Sequence, residues 1–465
     1  MADEEEKETP LILQLQRTSS PLPFEIQPIG NVWTGVAHFI AGVIGSGVLS
    51  LAWSLAQLGW IAGPLAILVV AFFSLVSAFL ITNIHTTYSN PSLTPTTNRS
   101  FLQAVHTILG YKNGFICGCL VYFSLFKTGV VYVITAAICM RAIRQSNCYH
   151  QQGHEAACEY DNRYFMLVFG IAQIVASQIP NIFHTKWLSI IAAIMSFTYS
   201  SIGIGLGLAQ VVGQGTIKGS IHGVSTANPT QKAWLVAQAI GDIAFSLNFS
   251  LILLEIQSTL KSPPSQKETM KTTSTIAVCI TTAFYICCGA SGYAAFGDMT
   301  PGNLLTGFGF YEPYWLVDFG NACIVVHLVG GYQIYSQTLF GIVERWYVVK
   351  FPESVFVESF KVWLLAFDFR VNLLRLCFRS AYVVSTMGVA MLFPYFNEVL
   401  AFSGSIIYWP LTIYFPVEMY FVHKRIVPWT GKWIVLRMYS IFSFIVTIFV
   451  LVGSLEGLIA KRFGS

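Results

Sequence analysis

The sequence predicts an all-α membrane protein that crosses the bilayer about eleven times. Apolar residues make up 54% of the 465 residues and charged residues only 10%, whereas soluble domains carry about 25% charged residues. The apolar residues also fall in repeated runs of roughly 20, the length that an α-helix needs to span a bilayer. We therefore expect a single polytopic domain embedded in the lipid bilayer. The net charge of +4, without a basic patch interleaved with aromatic residues, predicts no nucleic-acid partner.

The apolar runs define eleven predicted spans, which are numbered here in chain order. Each run is long enough to cross the bilayer as a helix. Spans 9 and 10 are separated only by residues 395–398, so these two could also be a single element. The predicted spans are 31–54, 61–84, 114–140, 164–180, 187–212, 233–258, 272–296, 314–341, 378–395, 399–422 and 433–456.

The distribution of Lys and Arg predicts the orientation. Most of the 26 Lys and Arg residues lie on the same side of the membrane as the N-terminus, and such residues favour the cytosol. We therefore expect a cytosolic N-terminus and an extracellular C-terminus. Residues 1–27 are acidic and lack a signal-peptide pattern, so a disordered cytosolic tail is expected before the membrane domain at 28–465. The basic, amphipathic stretch 357–379 is expected along the inner membrane face.

Span 1 contains glycines and a serine within its apolar run. We expect the helix to unwind around Gly45, Ser46 and Gly47, because glycine destabilises a helix interior. Unpaired backbone groups at membrane depth are tolerated only when they are buried in protein or line a cavity. The freed N–H groups, beginning at Ile44, would then bind an anion such as a carboxylate. The alternative is that these glycines only allow close helix packing.

Span 6 contains a second polar interruption within an apolar run. Gly241 and Asp242 are followed by Ser246 and Asn248, about 200 residues and five spans after the first interruption. Inverted repeats place broken helices at corresponding positions of the two halves. Repeat one would then run over about 31–212 and repeat two over about 233–422. The span at about 433–456 would be an extra helix.

Two of the ten cysteines lie in a polar loop rather than in an apolar run. Cys148 and Cys158 would form a disulfide if this loop is extracellular. The alternative is a metal site that also uses His150 and His154. We expect no metal, because two cysteines separated by nine residues with flanking histidines match no standard zinc pattern.

Several segments together resemble the plant amino acid permeases of the amino acid/auxin permease group. They cover most of the chain from residue 28 onward. This group belongs to the amino acid–polyamine–organocation superfamily. The segments are VAHFIAGVIGSGVLSLAWSLAQLGWIAGP, SQIPN, MSFTYSSIGIGLGLAQVV, QAIGDIAF, SLILLEIQSTLKSPP, GYAAFGDMTPGNLLTGFGFYEPYWLVDFGNACIVVHLVGGYQ, MLFPYFNEVL and YWPLTIYFPVEMY.

The resemblance implies a leucine-transporter-like fold, a five-plus-five inverted repeat with broken helices 1 and 6. It also implies proton-coupled symport of neutral and possibly acidic amino acids into the cell across the plasma membrane, by alternating access. The proton would be the coupling ion, with no other cofactor and no enzymatic activity. The predicted substrate-binding residues are Ile44, Gly45, Ser46 and Gly47 for the carboxylate, with Ala244, Phe245, Ser246 and Asn248 for the ammonium and the side chain.

Three ionisable residues are candidates for proton coupling. A carboxylate within a span is expensive and usually faces a cavity or a partner, so Asp242 is expected to carry the proton, to attract the substrate ammonium, or to cap the unwound helix. His38 lies two turns before Gly45, on the same helical face. His327 lies within span 8. Histidine titrates near neutrality, although a buried neutral histidine bonded to a carbonyl is an equal alternative for both.

Two positions depart from the family pattern, and one further carboxylate lies near them. Leu247 and Asn248 occupy the opening of span 6, where the family carries small and aromatic residues. Lys127 lies in span 3, where the family has glycine or another small residue. A lysine at midspan must pair, deprotonate or snorkel, so it could hold an acidic side chain, replace a cation or block transport. Glu255, in the cytosolic half of span 6, is expected to pair with a basic residue near an inner gate.

Other functions remain open as alternatives. A receptor would not need two breaks at midspan, and an enzyme would need facing catalytic groups that the sequence does not show. Among transporters, an auxin-like or other organic-acid carrier and a sodium-coupled carrier are possible. A transport-impaired amino acid sensor of the same fold is a further alternative.

Overall fold

The computed structural model describes residues 30–87, 96–153, 155–178, 186–309, 313–364 and 367–463. The predicted tail at 1–27 lies outside these residues. The described chain is nearly all helical, with a 3-10 helix at Ser46–Ser50 and a π-helix at Tyr408–Tyr414. The α-helices are Val32–Val43, Leu51–Thr82, Phe101–Leu109, Tyr111–Gln152, Asn162–Gln178, Lys186–Gln214, Pro229–Ser246, Leu253–Thr259, Gln266–Phe296, Tyr314–Lys350, Leu373–Leu392, Phe396–Ile407, Phe415–Lys424 and Gly431–Phe463.

Each of the eleven predicted spans coincides with helices of the described chain, apart from short non-helical stretches at breaks and ends; residues 179–180 of span 4 lie outside the described residues. Eight helical segments of the described chain are by themselves long and apolar enough to cross a membrane. One of them joins the end of span 1 to span 2, and Gly59 separates the two spans within it. Gly59 has φ 85° and ψ 177°, a conformation that residues with a side chain avoid. A Cβ atom there would also lie 2.5 Å from the backbone nitrogen of Gly223, so the turn between the two spans depends on glycine.

The spans pack in two groups, and each group contains spans from both halves of the chain. Spans 1 and 2 pack with spans 6 and 7, whereas spans 3 and 4 pack with spans 8 and 9. Span 10 lies against span 6, and span 11 packs on spans 6 and 10. Two five-span repeats would produce this pairing of spans 1 to 4 with the partners five positions later in the chain, whereas span 5 packs mainly on spans 7 and 8. The exact repeat boundaries stay a prediction.

Small residues bring spans 6 and 10 into close contact. A Cβ atom on Gly241 would lie 2.8 Å from the carbonyl oxygen of Ala401, and one on Gly404 would lie 2.8 Å from the backbone nitrogen of Phe245. Lipid offers apolar surface as readily as another helix does, so close backbone packing is what holds membrane helices together. This contact sets Asp242 against the beginning of span 10.

Two short hairpins depart from the predicted all-α structure. Thr86–Thr87 (β1) pairs with Thr96–Thr97 (β2), and Ser359–Leu364 (β3) pairs antiparallel with Phe367–Asn372 (β4). The second hairpin occupies most of the stretch 357–379. Its amphipathic character comes from apolar and polar residues that alternate with a period of two, which favours strands over a helix.

Cys148 and Cys158 form a disulfide, with their Cα atoms 5.9 Å apart. The end of the bundle that carries this bond is called the disulfide end below. Span 8 begins at this end, since Asn147 donates a hydrogen bond of 2.5 Å to Asp318. No group of three or more potential metal ligands occurs among the described residues. His154, named above as a possible ligand, lies outside the described residues.

Candidate functional site

The helix of span 1 is broken where the glycine cluster predicted it. The α-helix ends at Val43, and the chain continues as a 3-10 helix from Ser46. Between them, Gly45 is extended, with φ −131° and ψ −153°. The Ser46 hydroxyl is buried and has no hydrogen-bond partner within the described part of the chain. A buried polar group without a partner is available to a ligand.

Span 6 is broken directly after Ser246. Side chains of other spans form hydrogen bonds with polar groups at this break. Ser74 of span 2 donates a 3.1 Å hydrogen bond to the carbonyl oxygen of Leu247, and Thr412 of span 10 donates one of 3.2 Å to the side-chain oxygen of Asn248. The amide oxygen of Asn248 is therefore already used within the protein, which leaves its NH₂ group for a ligand.

The two breaks touch each other, and Tyr285 of span 7 joins them. The Tyr285 hydroxyl lies 2.9 Å from the carbonyl oxygen of Val43 and 3.2 Å from that of Ser246, and its single hydrogen can be donated to either. A Cβ atom on Gly47 would lie 3.0 Å from the Ser246 Cα, so only glycine allows this approach. Sequence analysis missed Tyr285. Its signal was a hydroxyl group in the middle of an apolar span.

The predicted substrate residues are brought together, with one exception. Ala244 lines an apolar cavity of about 340 Å³ between spans 2, 6, 10 and 11, away from the meeting point of the breaks. The remaining predicted residues lie at the two breaks. Buried among them are Ile44, Ser46, Gly47 and Ser246, and half-buried are Gly45, Phe245 and Asn248.

Asp242 is fully buried and belongs to a polar chain that runs towards the disulfide end. Asn397, in the first turn of the helix Phe396–Ile407, donates a 3.1 Å hydrogen bond to its carboxylate. The neighbour of Asn397 is Glu398, whose side chain pairs at 2.7 Å with Lys461, which is half exposed. Asn397 therefore contacts the buried carboxyl group, and the side chain of the next residue in the chain reaches the surface through Lys461. Sequence analysis missed Asn397.

His327 is buried beside the first break. Its Nδ1 lies 3.0 Å from the carbonyl oxygen of Ala192 and 3.0 Å from the hydroxyl of Ser196. When the Nδ1–H donates to the Ala192 carbonyl, which can only accept, the neutral ring has its lone pair on Nε2. A Cβ atom on Gly45 would lie 3.8 Å from Nε2, so this nitrogen faces the break in span 1.

His38 and Glu255 lie outside the buried cluster. Both are exposed, and His38 shares an exposed stripe of span 1 with Ala37 and Gly42. The helix ends at Val43, so helical spacing no longer relates His38 to Gly45. Glu255 lies on the short helix after the second break. No basic residue in the described part of the chain lies within ion-pair distance of it.

Lys127 of span 3 lies against the second break. Its side chain is buried, with 5% of its surface exposed. Its ammonium group stands 4.8 Å from the centroid of the Phe245 ring. The structure therefore brings a cation to one of the residues predicted to bind the substrate.

Residues 29–460 of the chain match the family described as transmembrane amino acid transporter protein. The chain is 54% identical to probable amino acid permease 7 of Arabidopsis thaliana, over 94% of both chains. It is 46% identical to amino acid permease 3 of the same species, over 92% of this chain and 91% of the relative. The chain belongs to the plant amino acid permease family. This permease is thus a multi-pass membrane protein that transports amino acids.

The permease also resembles MhsT, whose structure was solved in complex with L-phenylalanine. The TM-score is 0.56 at 11% sequence identity, and the match covers 90% of this chain and 98% of MhsT. At this identity the likeness shows the fold alone, which is the leucine-transporter fold predicted from the two breaks and the family resemblance.

Proposed function

We propose that this permease is a proton-coupled symporter that imports amino acids across the plasma membrane by alternating access. The observation that carries the proposal is the contact of the two helix breaks at Tyr285. Broken helices that meet within a bundle form the substrate site of transporters with this architecture. The substrate carboxylate binds at Gly45, Ser46 and Gly47, and the ammonium and side chain bind beside Phe245.

Asp242 is the proton-coupling residue in this proposal. A buried carboxylate needs a partner for its charge, and no Lys or Arg of the described chain lies within ion-pair distance of it. A proton can supply that partner. The contacts through Asn397 and Glu398 support a route from the disulfide end, which we place outside the cell. His327 is a second acceptor, because its Nε2 faces the first break.

Contacts at the disulfide end support an inward-facing conformation. The loop between spans 5 and 6 covers the outer end of span 1 there. The Val224 N–H donates a 2.8 Å bond to the Ala56 carbonyl, and Lys232 donates one of 2.6 Å to the Gln57 carbonyl. At the opposite end, the exposed stripe of span 1 with His38 leads towards the break. Opening this covered end would admit substrate from outside.

Substrate-evoked current tests the proposal. Oocytes that express the permease would be voltage-clamped, and amino acids applied at acidic and neutral external pH without sodium. We expect an inward current that grows with acidity, because a proton enters with each transport cycle. Asp242→Asn should abolish this pH dependence, since an amide cannot bind the proton. Asp318→Asn is the matched control, because that carboxylate also bonds an asparagine but lies away from the breaks.

Three outcomes would contradict the proposal. Current that persists with full pH dependence in Asp242→Asn would remove Asp242 from the coupling. Current that requires sodium at fixed pH would identify sodium as the coupling ion. Uptake that indole-3-acetate inhibits, while amino acids do not, would indicate an auxin-like carrier.

A further inference from the structure

Lys127 is a buried cation without an anionic partner. It lies in the middle of span 3, and its ammonium group stands over the Phe245 ring. Across the described residues, no carboxylate comes within ion-pair distance of its ammonium group. A cation–π contact compensates only part of the cost of removing an ammonium group from water. An anion bound beside Phe245 would supply the partner that the ammonium group lacks among the described residues.

The position of Lys127 indicates which part of a substrate it would meet. Phe245 stands at the second break, next to Ser246, whose Cα would lie 3.0 Å from a Cβ atom on Gly47. In the proposed binding mode, the substrate carboxylate is held at the first break, on the N–H groups around Gly47. The region beside Phe245 is left for the ammonium and the side chain. A carboxylate on that side chain could reach Lys127, while a second ammonium group would be repelled.

We propose that Lys127 is a specificity-determining residue whose ammonium group pairs with the side-chain carboxylate of an acidic amino acid. It would also exclude basic amino acids, because like charges would be buried together. This inference rests on the proposed function and extends it to the substrate class. Glutamate and glutamine are the matched probes, since they have nearly the same shape and differ in the charge of the side chain.

Uptake kinetics of both probes test the role of Lys127. In the wild-type permease, we expect a KM for glutamate about tenfold lower than that for glutamine, since a buried charge pair discriminates strongly. Lys127→Met should raise the KM for glutamate about tenfold or more and change that for glutamine by less than about threefold. Lysine should compete with glutamine uptake in Lys127→Met but not in wild type. Lys112→Met, at an exposed position at the start of the same helix, Tyr111–Gln152, should behave as wild type.

Other results would overturn the inference. These are equal KM values for the two probes in the wild type, or a change in Lys127→Met that affects both alike. If Lys127→Met does not reach the cell surface, competition between glutamate, glutamine and lysine for uptake by the wild-type permease tests the inference instead. Lys127→Arg, which keeps the charge, should retain the preference for glutamate. Transport of glutamine without a preference for glutamate contradicts only this inference. A permease that reaches the cell surface but transports no amino acid contradicts the proposed function itself.

Discussion

Tyr285 shows how one side chain can fix the geometry of a transport site. Its hydroxyl lies between two carbonyl oxygens that belong to different broken helices. Neither carbonyl has its full helical environment, because both helices end there. One hydroxyl from span 7 therefore replaces part of the missing helix and holds the two breaks in contact.

Tyr285→Phe should impair transport more than it impairs stability. Leaving a buried carbonyl without its donor costs about 1–3 kcal/mol, and we expect uptake to fall about tenfold. Tyr439→Phe is the matched control, because that hydroxyl also donates to a carbonyl, at 2.8 Å to Phe73, but away from the breaks. Thermal unfolding in detergent and uptake by intact cells measure the two effects. Equal uptake in both variants would mean that Tyr285 does not position the site.

The connection between spans 2 and 3 illustrates how a loop is fixed at the end of a bundle. His85 is buried there, with 3% of its surface exposed. Its carbonyl accepts a 2.7 Å bond from the Asn98 N–H, and the Asn98 side chain donates a 2.8 Å bond to Ile84. Burial, with a smaller effect of the Arg99 charge, lowers the pKa of His85 to about 4.

This pKa predicts that acid destabilises the permease. Between the ordinary pKa of 6.5 and the folded value of about 4, the unfolded chain binds a proton that the folded chain does not. The contribution of His85 to the free energy of unfolding is therefore complete above pH 6.5 and is lost as the pH falls. It amounts to about 2 kcal/mol between pH 6.5 and about pH 5.

His85→Gln should flatten this dependence, because glutamine does not titrate. The measurement is the free energy of unfolding in detergent as a function of pH. His222→Gln, at an exposed loop position, should keep the wild-type slope. A slope that is the same in all three proteins would show that His85 does not titrate as its burial predicts.

The molecule as a whole combines two groups of spans, and residues of both groups lie at the helix breaks. Spans 1, 2, 6 and 7 form one group, and spans 3, 4, 8 and 9 form the other. Tyr285 lies within the first group, while Lys127 and His327 approach its breaks from the second. Relative motion of the two groups would therefore change the contacts of the substrate site, as alternating access requires.

The number of spans and the distribution of basic residues predict opposite locations for the two termini. An epitope at the C-terminus should be accessible to antibody on intact cells, and an epitope at the N-terminus only after permeabilisation. The disulfide loop should share the accessibility of the C-terminus. A C-terminal epitope that is hidden on intact cells would contradict both the orientation and the proposed proton route from outside.

The sequence by itself determined the membrane class, the positions of the spans, both helix breaks and the cysteine pair. These follow from local patterns, since hydropathy sets a span and glycine or polar residues interrupt it. The hairpin at Ser359–Asn372 was missed as a strand pair, although its period of two was present in the sequence.

Only the tertiary structure decided which residues meet at the breaks. Tyr285 and Asn397 lie about 40 and 150 residues beyond Asp242 in the chain, and no local pattern relates such distances. The structure also separated His38 from the cluster, because the helix that would have aligned it with Gly45 ends between them. It set Lys127 beside Phe245 of span 6, although the helix of span 3 packs mainly on spans 4, 8, 9 and 10. Chemistry at this site depends on contacts between distant spans, and close packing of small residues, rather than sequence proximity, creates those contacts.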